Sequence, residues 1–386
     1  MNKLKTSIGN GIWQLLPSMG TMLLSLLIVR LYDAAIWGSI VGVIVVQQIL
    51  NSIISWGNKD FLQRELATNH LEFKYSFSAF FQERFAVFIV AIGCCSIFGW
   101  IDQSYFLGFT LLVFARFLQQ SFDVVVLKEK RFAFVSFLEI FFLVMQVLLL
   151  VYLWQIGVSN PSLLFMVFWL PSLIKSLVLI VVFHDYFVLK ITNGSFLGKS
   201  FFFGLITFSG LVHSKIDLLL ISKLLDTASL GKYQIILAFL WNIQSVAMYV
   251  SGPYVHNFYR LSESSQMNYA SFLKRLSYWI VPLGVSVMIG ILYFVLDIKV
   301  SVSIVAASLL FSVMSFIYLP WIFQLNQRKQ ESRVLLLNII GIIILVSFIL
   351  IVNHFMGLTL ENMIWIVTIH QLFITAMAWA ANKIKA

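Results

Sequence analysis

Charge is what this chain has least of. Lysine, arginine, aspartate and glutamate make up 11% of its 386 residues, against roughly 25% in an ordinary soluble domain. Hydrophobic residues make up 60% and aromatic residues 16%, and the mean hydropathy is +0.94. That excludes a soluble globule. The net charge is +10, but the basic residues are scattered between apolar runs, which argues against nucleic acid as a partner. The two cysteines, Cys94 and Cys95, are adjacent inside one such run, and neither a disulfide framework nor a metal site is built from neighbours. There is no phosphate-cradling glycine loop, so ATP is not expected to drive the protein directly. No His/Cys/carboxylate cluster and no nucleophile elbow occurs, so neither a cofactor nor an enzyme is expected. Met1–Asn10 runs into a full-length apolar span without a small-residue cleavage site, so no cleaved leader is expected.

What the chain does have is length in its apolar runs. About 20 apolar residues cross a bilayer core, and twelve runs qualify as candidate spans. They cover roughly 11–31, 37–57, 79–99, 104–126, 132–156, 161–183, 201–222, 229–252, 276–296, 300–323, 334–354 and 360–380. The longest polar connections, 58–78 and 253–275, follow spans two and eight. The same recurrence shows in side chains. Arg30-Leu31-Tyr32-Asp33-Ala34-Ala35-Ile36-Trp37-Gly38 aligns without gaps on Lys223-Leu224-Leu225-Asp226-Thr227-Ala228-Ser229-Leu230-Gly231, at an offset of 193 residues, half the chain. This predicts an all-α integral membrane protein of about twelve transmembrane helices in two six-helix lobes, 1–190 and 191–386, related as a parallel repeat. Gly38 and Gly231 are expected where the chain turns tightly into the next helix.

Counting Lys and Arg by loop sets the orientation. With the N-terminus inside, 19 of the 26 basic residues fall on inner segments (Lys59, Lys74, Arg84, Lys128, Lys130 and Arg131 among them), 4 on outer ends and 3 within spans. Both termini are therefore expected in the cytoplasm.

Ionisable groups at membrane depth are rare and usually face a partner or a wet cavity. In span four, Arg116, Gln119 or Gln120, and Asp123 fall on one helical face, read either as a cationic cavity wall or as an internal ion pair. Lys175 lies about a turn from Pro171 in span six and is read as an intramembrane cation or as a group snorkelling to the interface. His213 and Asp217 are four apart in span seven, with Lys215 between them on another side. A His–Asp pair suits a proton relay or a structural hydrogen bond, and the sequence leaves both open. Asp217 is the candidate for coupling to a proton or sodium gradient, with His213, Lys215 and Asp123 as the groups nearest in role. Pro17 and Pro282 suggest bent first and ninth spans.

With Leu27-Ile-Val-Arg30-Leu-Tyr-Asp-Ala-Ala-Ile-Trp-Gly38, Gln63-Arg64-Glu65-Leu66-Ala67, and Lys215-Ile-Asp217 through Leu230-Gly231-Lys232-Tyr233 in view, the chain resembles the O-antigen (Wzx-type) polysaccharide flippases of the multidrug/oligosaccharidyl-lipid/polysaccharide exporter superfamily. The resemblance implies alternating access in the bacterial inner membrane. Its cargo would be a polyprenyl-diphosphate-linked oligosaccharide moving from inner to outer leaflet, for lipopolysaccharide O-antigen or capsule synthesis. It also implies membrane lipids, a polysaccharide polymerase and a chain-length regulator as partners. A diphosphate needs buried cations, and arginine binds phosphate bidentately; Arg116, Lys175 and Lys215 are the substrate-binding candidates. The competing expectations are a drug/cation antiporter of the same superfamily, which would favour acidic cavity residues, and a membrane-bound glycan-modifying enzyme.

Overall fold

Long apolar runs separated by a few polar residues leave the backbone one way to satisfy its own hydrogen bonds in lipid, and that is helix after helix. The computed structural model of the chain describes residues 2–59, 61–62, 73–187, 196–251, 263–328 and 330–383. Among these the regular structure is entirely helical. We number the twelve long helices α1 (Asn2–Leu31), α2 (Ala34–Ser55), α3 (Phe73–Ile97), α4 (Gln103–Glu129), α5 (Phe132–Gln155), α6 (Met166–Val182), α7 (Phe201–Leu224), α8 (Thr227–Ser251), α9 (Glu263–Phe294), α10 (Val302–Gln327), α11 (Glu331–Phe355) and α12 (Leu360–Lys383). All twelve sequence-predicted spans coincide with them. Among the described residues ten are long and apolar enough to cross a bilayer, and α1 adds a shorter apolar stretch, Leu16–Leu31. The Gln63–Ala67 stretch and most of the connections at 58–78 and 253–275 lie outside the described residues.

Two boundaries differ instructively. Helix α3 begins at Phe73 and α9 at Glu263, each well before its apolar run, because polar side chains at an interface do not interrupt a helix whose backbone is already paired. The early start of α3 puts Arg84 about three turns inside the helix and fully buried. Arg84 is therefore not the inner-loop charge that counting by loop makes it. Pro17, Pro171, Pro282 and Pro320 all lie inside helices.

The chain forms two compact units, residues 39–215 and residues 1–38 with 216–386. Helices α2 and α7 each begin in one and end in the other. In the first unit α4 packs most extensively on α6, with α5 also on α6 and α3 on α4. In the second, α10 packs most extensively on α12, with α11 on α12 and α9 on α10. These three pairs recur six helices along, as a tandem repeat requires. In the second unit α1 lies against α8, where the Ser18 hydroxyl donates to Asn242 Oδ1 at 2.8 Å.

Large apolar side chains stay outside in helical stripes. Phe137, Ile140, Phe141, Val144 and Leu148 of α5, and Leu336, Ile339, Ile343 and Leu350 of α11, are exposed. Such stripes would be an aggregation hazard in water and are lipid-facing surface in a membrane. This is a multi-pass membrane protein.

The repeated glycines do something other than turn the chain. Neither has a positive φ. A Cβ on Gly38 would stand 1.8 Å from the Thr227 carbonyl oxygen, and one on Gly231 2.1 Å from that of Ala34. The first turns of α2 and α8 thus cross backbone to backbone. The turns before them are made by aspartates: Asp33 Oδ1 accepts from Ile36 N–H at 2.6 Å, and Asp226 Oδ1 from Ser229 N–H at 2.8 Å. These are N-cap bonds of the usual kind, and the Ser229 hydrogen bonds hold the Asp226 carboxyl below its ordinary range. Trp37 and Gln234 join the same crossing through an indole N–H donating to Oε1 at 2.8 Å.

Candidate functional site

The 39–215 unit carries charge in its interior. Arg84 comes from α3, Arg116 and Asp123 from α4, Glu139 from α5 and Lys175 from α6. Each needs a physical justification, because an uncompensated charge away from water is expensive.

Arg84 is 0% exposed. Its Nε donates to the Ile54 carbonyl at 3.0 Å and its Nη1 to the Ser121 hydroxyl at 3.2 Å. The guanidinium lies 5.5 Å from the Phe80 ring centre and 5.1 Å from that of Phe117, distances at which the ring faces attract a cation. Nη2 has no partner among the described residues. Asp123 is within electrostatic reach of Arg84, Lys59 and Lys175.

Arg116 Nη1 donates to Gln119 Oε1 at 3.2 Å, three residues along the same helix. Gln119 in turn ties α4 to α6: its Nε2 donates to the Ser172 carbonyl at 2.9 Å and to the Ser176 hydroxyl at 3.1 Å. The polar stripe predicted on α4 therefore exists, and its glutamine is the strut between the two helices. Lys175 forms an ion pair with Glu139; their side chains are 6% and 16% exposed. Lys175 is thus an intramembrane cation with a carboxylate partner on α5. Sequence reasoning misses Glu139. A lone acidic residue in a helix as apolar as Phe132–Gln155 is the signal, since such a residue is retained only with a partner. It also misses Arg84, which lies five residues inside the 79–99 run but beside Glu83 at its polar end, and so is counted with the inner charges.

His213 and Lys215 are half-buried on the part of α7 that belongs to this unit. Asp217, two residues on, belongs to the other unit, where it is 4% exposed and accepts a 2.6 Å hydrogen bond from the Tyr233 hydroxyl at Oδ2. Tyr233 lies on α8, about one and a half turns in from the start, in a stretch that carries the family resemblance without a role of its own. Elsewhere the interior of that unit relies largely on neutral polar groups: Gln244 Nε2 donates to the Phe311 carbonyl at 2.6 Å and the Thr368 hydroxyl to that of Ile364 at 2.7 Å. His370 Nε2 sits 3.1 Å from the Gly341 carbonyl. Among the described residues, buried charge is concentrated in one unit and scarce in the other.

Comparison with known proteins gives structural likeness without sequence likeness. No protein-family model matches the chain, and no curated protein matches it in sequence. Among solved structures, a crystal structure of a MATE in complex with Br-NRF superposes with a TM-score of 0.64 at 12% identity, covering 99% of this chain and 94% of that one. The MATE multidrug transporter DinF-BH, solved with a bound ligand, gives 0.65 at 15% identity, covering 98% and 94%. A MOP superfamily transporter from Pyrococcus furiosus Vc1 (DSM3638), described as having a binding pocket of reverse polarity, gives 0.54 at 11% identity, covering 99% and 94%. The fold, over essentially the whole chain, is that of the MATE transporters.

Proposed function

We propose that this protein is a flippase that moves a polyprenyl-diphosphate-linked oligosaccharide from the inner to the outer leaflet of a bacterial cytoplasmic membrane for surface-polysaccharide synthesis, and that it is a transporter rather than an enzyme. The observation that carries this reading is the balance of buried charge in the 39–215 unit. Three cations, Arg84, Arg116 and Lys175, stand against two carboxylates, Asp123 and Glu139, while the half-buried Glu83 is taken up by the backbone N–H groups of Phe196 and Leu197. An anionic diphosphate is stabilised by such an excess, and a cationic drug is repelled by it. Among these cations Arg116 is the proposed substrate contact. Its recorded hydrogen bond is to a neutral amide, whereas Lys175 is engaged by Glu139 and Arg84 is walled in by rings. Lys215 remains a second candidate contact.

The test is export in cells deleted for the native protein, with membrane abundance measured alongside. A charge-assisted contact is worth about 1.5–3 kcal/mol, so Arg116→Ala should lower export roughly ten- to a hundredfold at unchanged abundance. Arg116→Lys should restore part of it, since charge returns without the bidentate fork. Undiminished export by the alanine variant would remove Arg116 from the site.

We propose Asp217 as the coupling group, supported by its burial and by the hydroxyl of Tyr233 that fixes one of its oxygens. Asp217→Asn should leave residual export that ignores the pH and sodium gradients. Wild-type gradient dependence in that variant would make Asp217 a structural residue. The proposed orientation has both termini in the cytoplasm. Cysteines introduced into the 157–160 and 297–299 turns of a chain lacking Cys94 and Cys95 should react with an impermeant reagent added outside. Cysteines at 128–131 should not react, and the reverse pattern would invert the direction of transport.

The likeness to a multidrug transporter supports a second reading, a drug/cation antiporter that uses Asp123 and Asp217 as acidic groups. Binding of organic cations that disappears in Asp123→Asn would favour it over the flippase.

A further inference from the structure

At one end of the 39–215 unit, basic side chains gather on aromatic rings instead of spreading into solvent. The ends of three elements meet there: the start of α3, the end of α4, and the short turn His184–Tyr186 that follows α6. Lys128 Nζ lies 4.4 Å from the centre of the Phe73 ring and 5.3 Å from that of Tyr186. Lys74 Nζ lies 5.3 Å from the same Tyr186 ring. Arg131 reaches the Phe183 ring at 5.6 Å. Two ammonium groups thus share one ring, with a guanidinium nearby.

The rings form a rigid floor. Phe73, Phe183 and Tyr186 are all buried. Phe73 and Tyr186 meet edge to face at 6.2 Å, and Phe77 backs Tyr186 at 5.9 Å. The Tyr186 hydroxyl donates to Glu129 Oε1 at 2.8 Å, while Glu129 Oε2 takes Arg131 Nε at 2.7 Å. Burial, then Glu129, pushes the Tyr186 hydroxyl above its usual range, so it stays a protonated donor and the floor keeps its geometry at any working pH. Both oxygens of the carboxylate inside the cluster are therefore already engaged. Among the described residues Lys74 and Lys128 form no ion pair. Like charges brought together on a fixed support are stabilised by an anion that bridges them.

We propose that this platform, Lys74 and Lys128 on the Tyr186 and Phe73 rings with Arg131 beside them, binds the phosphate head group of an anionic membrane phospholipid. Its place favours a lipid over a soluble anion. It lies where three apolar helices end, at head-group depth, and α3 continues from it with exposed Tyr75, Phe85 and Ile89, a surface for acyl chains. The bridging chemistry is two ammonium groups donating to phosphodiester oxygens. In a zwitterionic lipid that phosphodiester charge is already compensated by the lipid's own cation, so an anionic lipid is preferred. This holds whatever the protein transports.

The test uses the full-length protein released from nanodiscs made of equal parts phosphatidylglycerol and phosphatidylcholine, with retained lipids counted by native mass spectrometry. Juxtamembrane basic residues contribute about fivefold each to attraction for anionic lipid. Lys74→Gln/Lys128→Gln should therefore reduce the retained preference for phosphatidylglycerol by roughly twenty-five-fold. Lys74→Arg/Lys128→Arg should keep most of it, and Lys299→Gln, in the other unit, all of it. The exposed Lys74→Gln alone, which does not threaten the fold, should lose about fivefold. Unchanged preference in the glutamine variants, or an equal loss in Lys299→Gln, overturns the proposal. So does displacement of the bound lipid by millimolar inorganic phosphate, which would identify the occupant as a free anion.

Discussion

Gly38→Ala should leave little folded protein in the membrane. Alanine in a helix normally stabilises by about 1 kcal/mol over glycine. At Gly38, however, the added methyl would stand 1.8 Å from the Thr227 carbonyl oxygen. The obstacle is backbone, which cannot rotate aside, so α2 and α8 must separate. Overpacking of this kind costs about 1–3 kcal/mol or more, and here it also strains the Trp37–Gln234 bond across the crossing. Gly231→Ala should behave alike, with Ala34 as the obstacle at 2.1 Å. The double variant should be less than additive, because one separation relieves both clashes. Gly42→Ala is the control: nothing lies within 4 Å of its added methyl, so it should be neutral or mildly stabilising. Thermal denaturation in detergent reads all four. Equal melting temperatures for Gly38→Ala and Gly42→Ala would show that the crossing yields.

Glu139→Gln should be the most damaging change in the 39–215 unit that removes no side-chain volume. It leaves the Lys175 ammonium, 6% exposed, without its carboxylate. Breaking a buried pair from one side typically costs about 3–5 kcal/mol, whereas replacing both partners by apolar groups of similar size is often neutral or better. Lys175→Met/Glu139→Leu should therefore recover the stability that Glu139→Gln loses. It also separates folding from function. A double variant that is stable and still exports would relegate the pair to scaffolding. One that is stable and inactive would assign Lys175 a part in binding. Stability in Glu139→Gln equal to the parent would mean that Lys175 finds another partner.

Much of this architecture is legible because lipid makes one demand of a sequence. A span must be apolar for about 20 residues, so hydropathy alone locates every long helix, and Asp33 and Asp226 mark the same turn twice. Side chains inside a bundle are governed by a different rule, namely who stands opposite, and periodicity on one helix does not contain that information. Arg116, Gln119 and Asp123 can be placed on a face of α4 from spacing. That Gln119 reaches Ser172 and Ser176 on α6 cannot. Lys175 and Glu139 lie 36 residues apart on different helices, and only packing pairs them. Gly38 and Gly231 show the same limit. Their recurrence is visible, but the reason for it is a neighbouring backbone and not a bend of their own.

The partnership of α1 with α8 has a consequence for biosynthesis. The Ser18–Asn242 hydrogen bond joins residues 224 apart. At ~5–20 residues per second, α1 waits some tens of seconds for the surface it will pack on. Throughout that interval α1 sits in lipid with Pro17 in its middle and a serine side unmet, open to insertion factors, to proteases and to other copies of itself. A fragment ending at residue 190 would hold it in that condition permanently. Synthesis of the second half is thus also the rescue of the first helix, and a ribosome that stalls between them leaves an orphan in the bilayer.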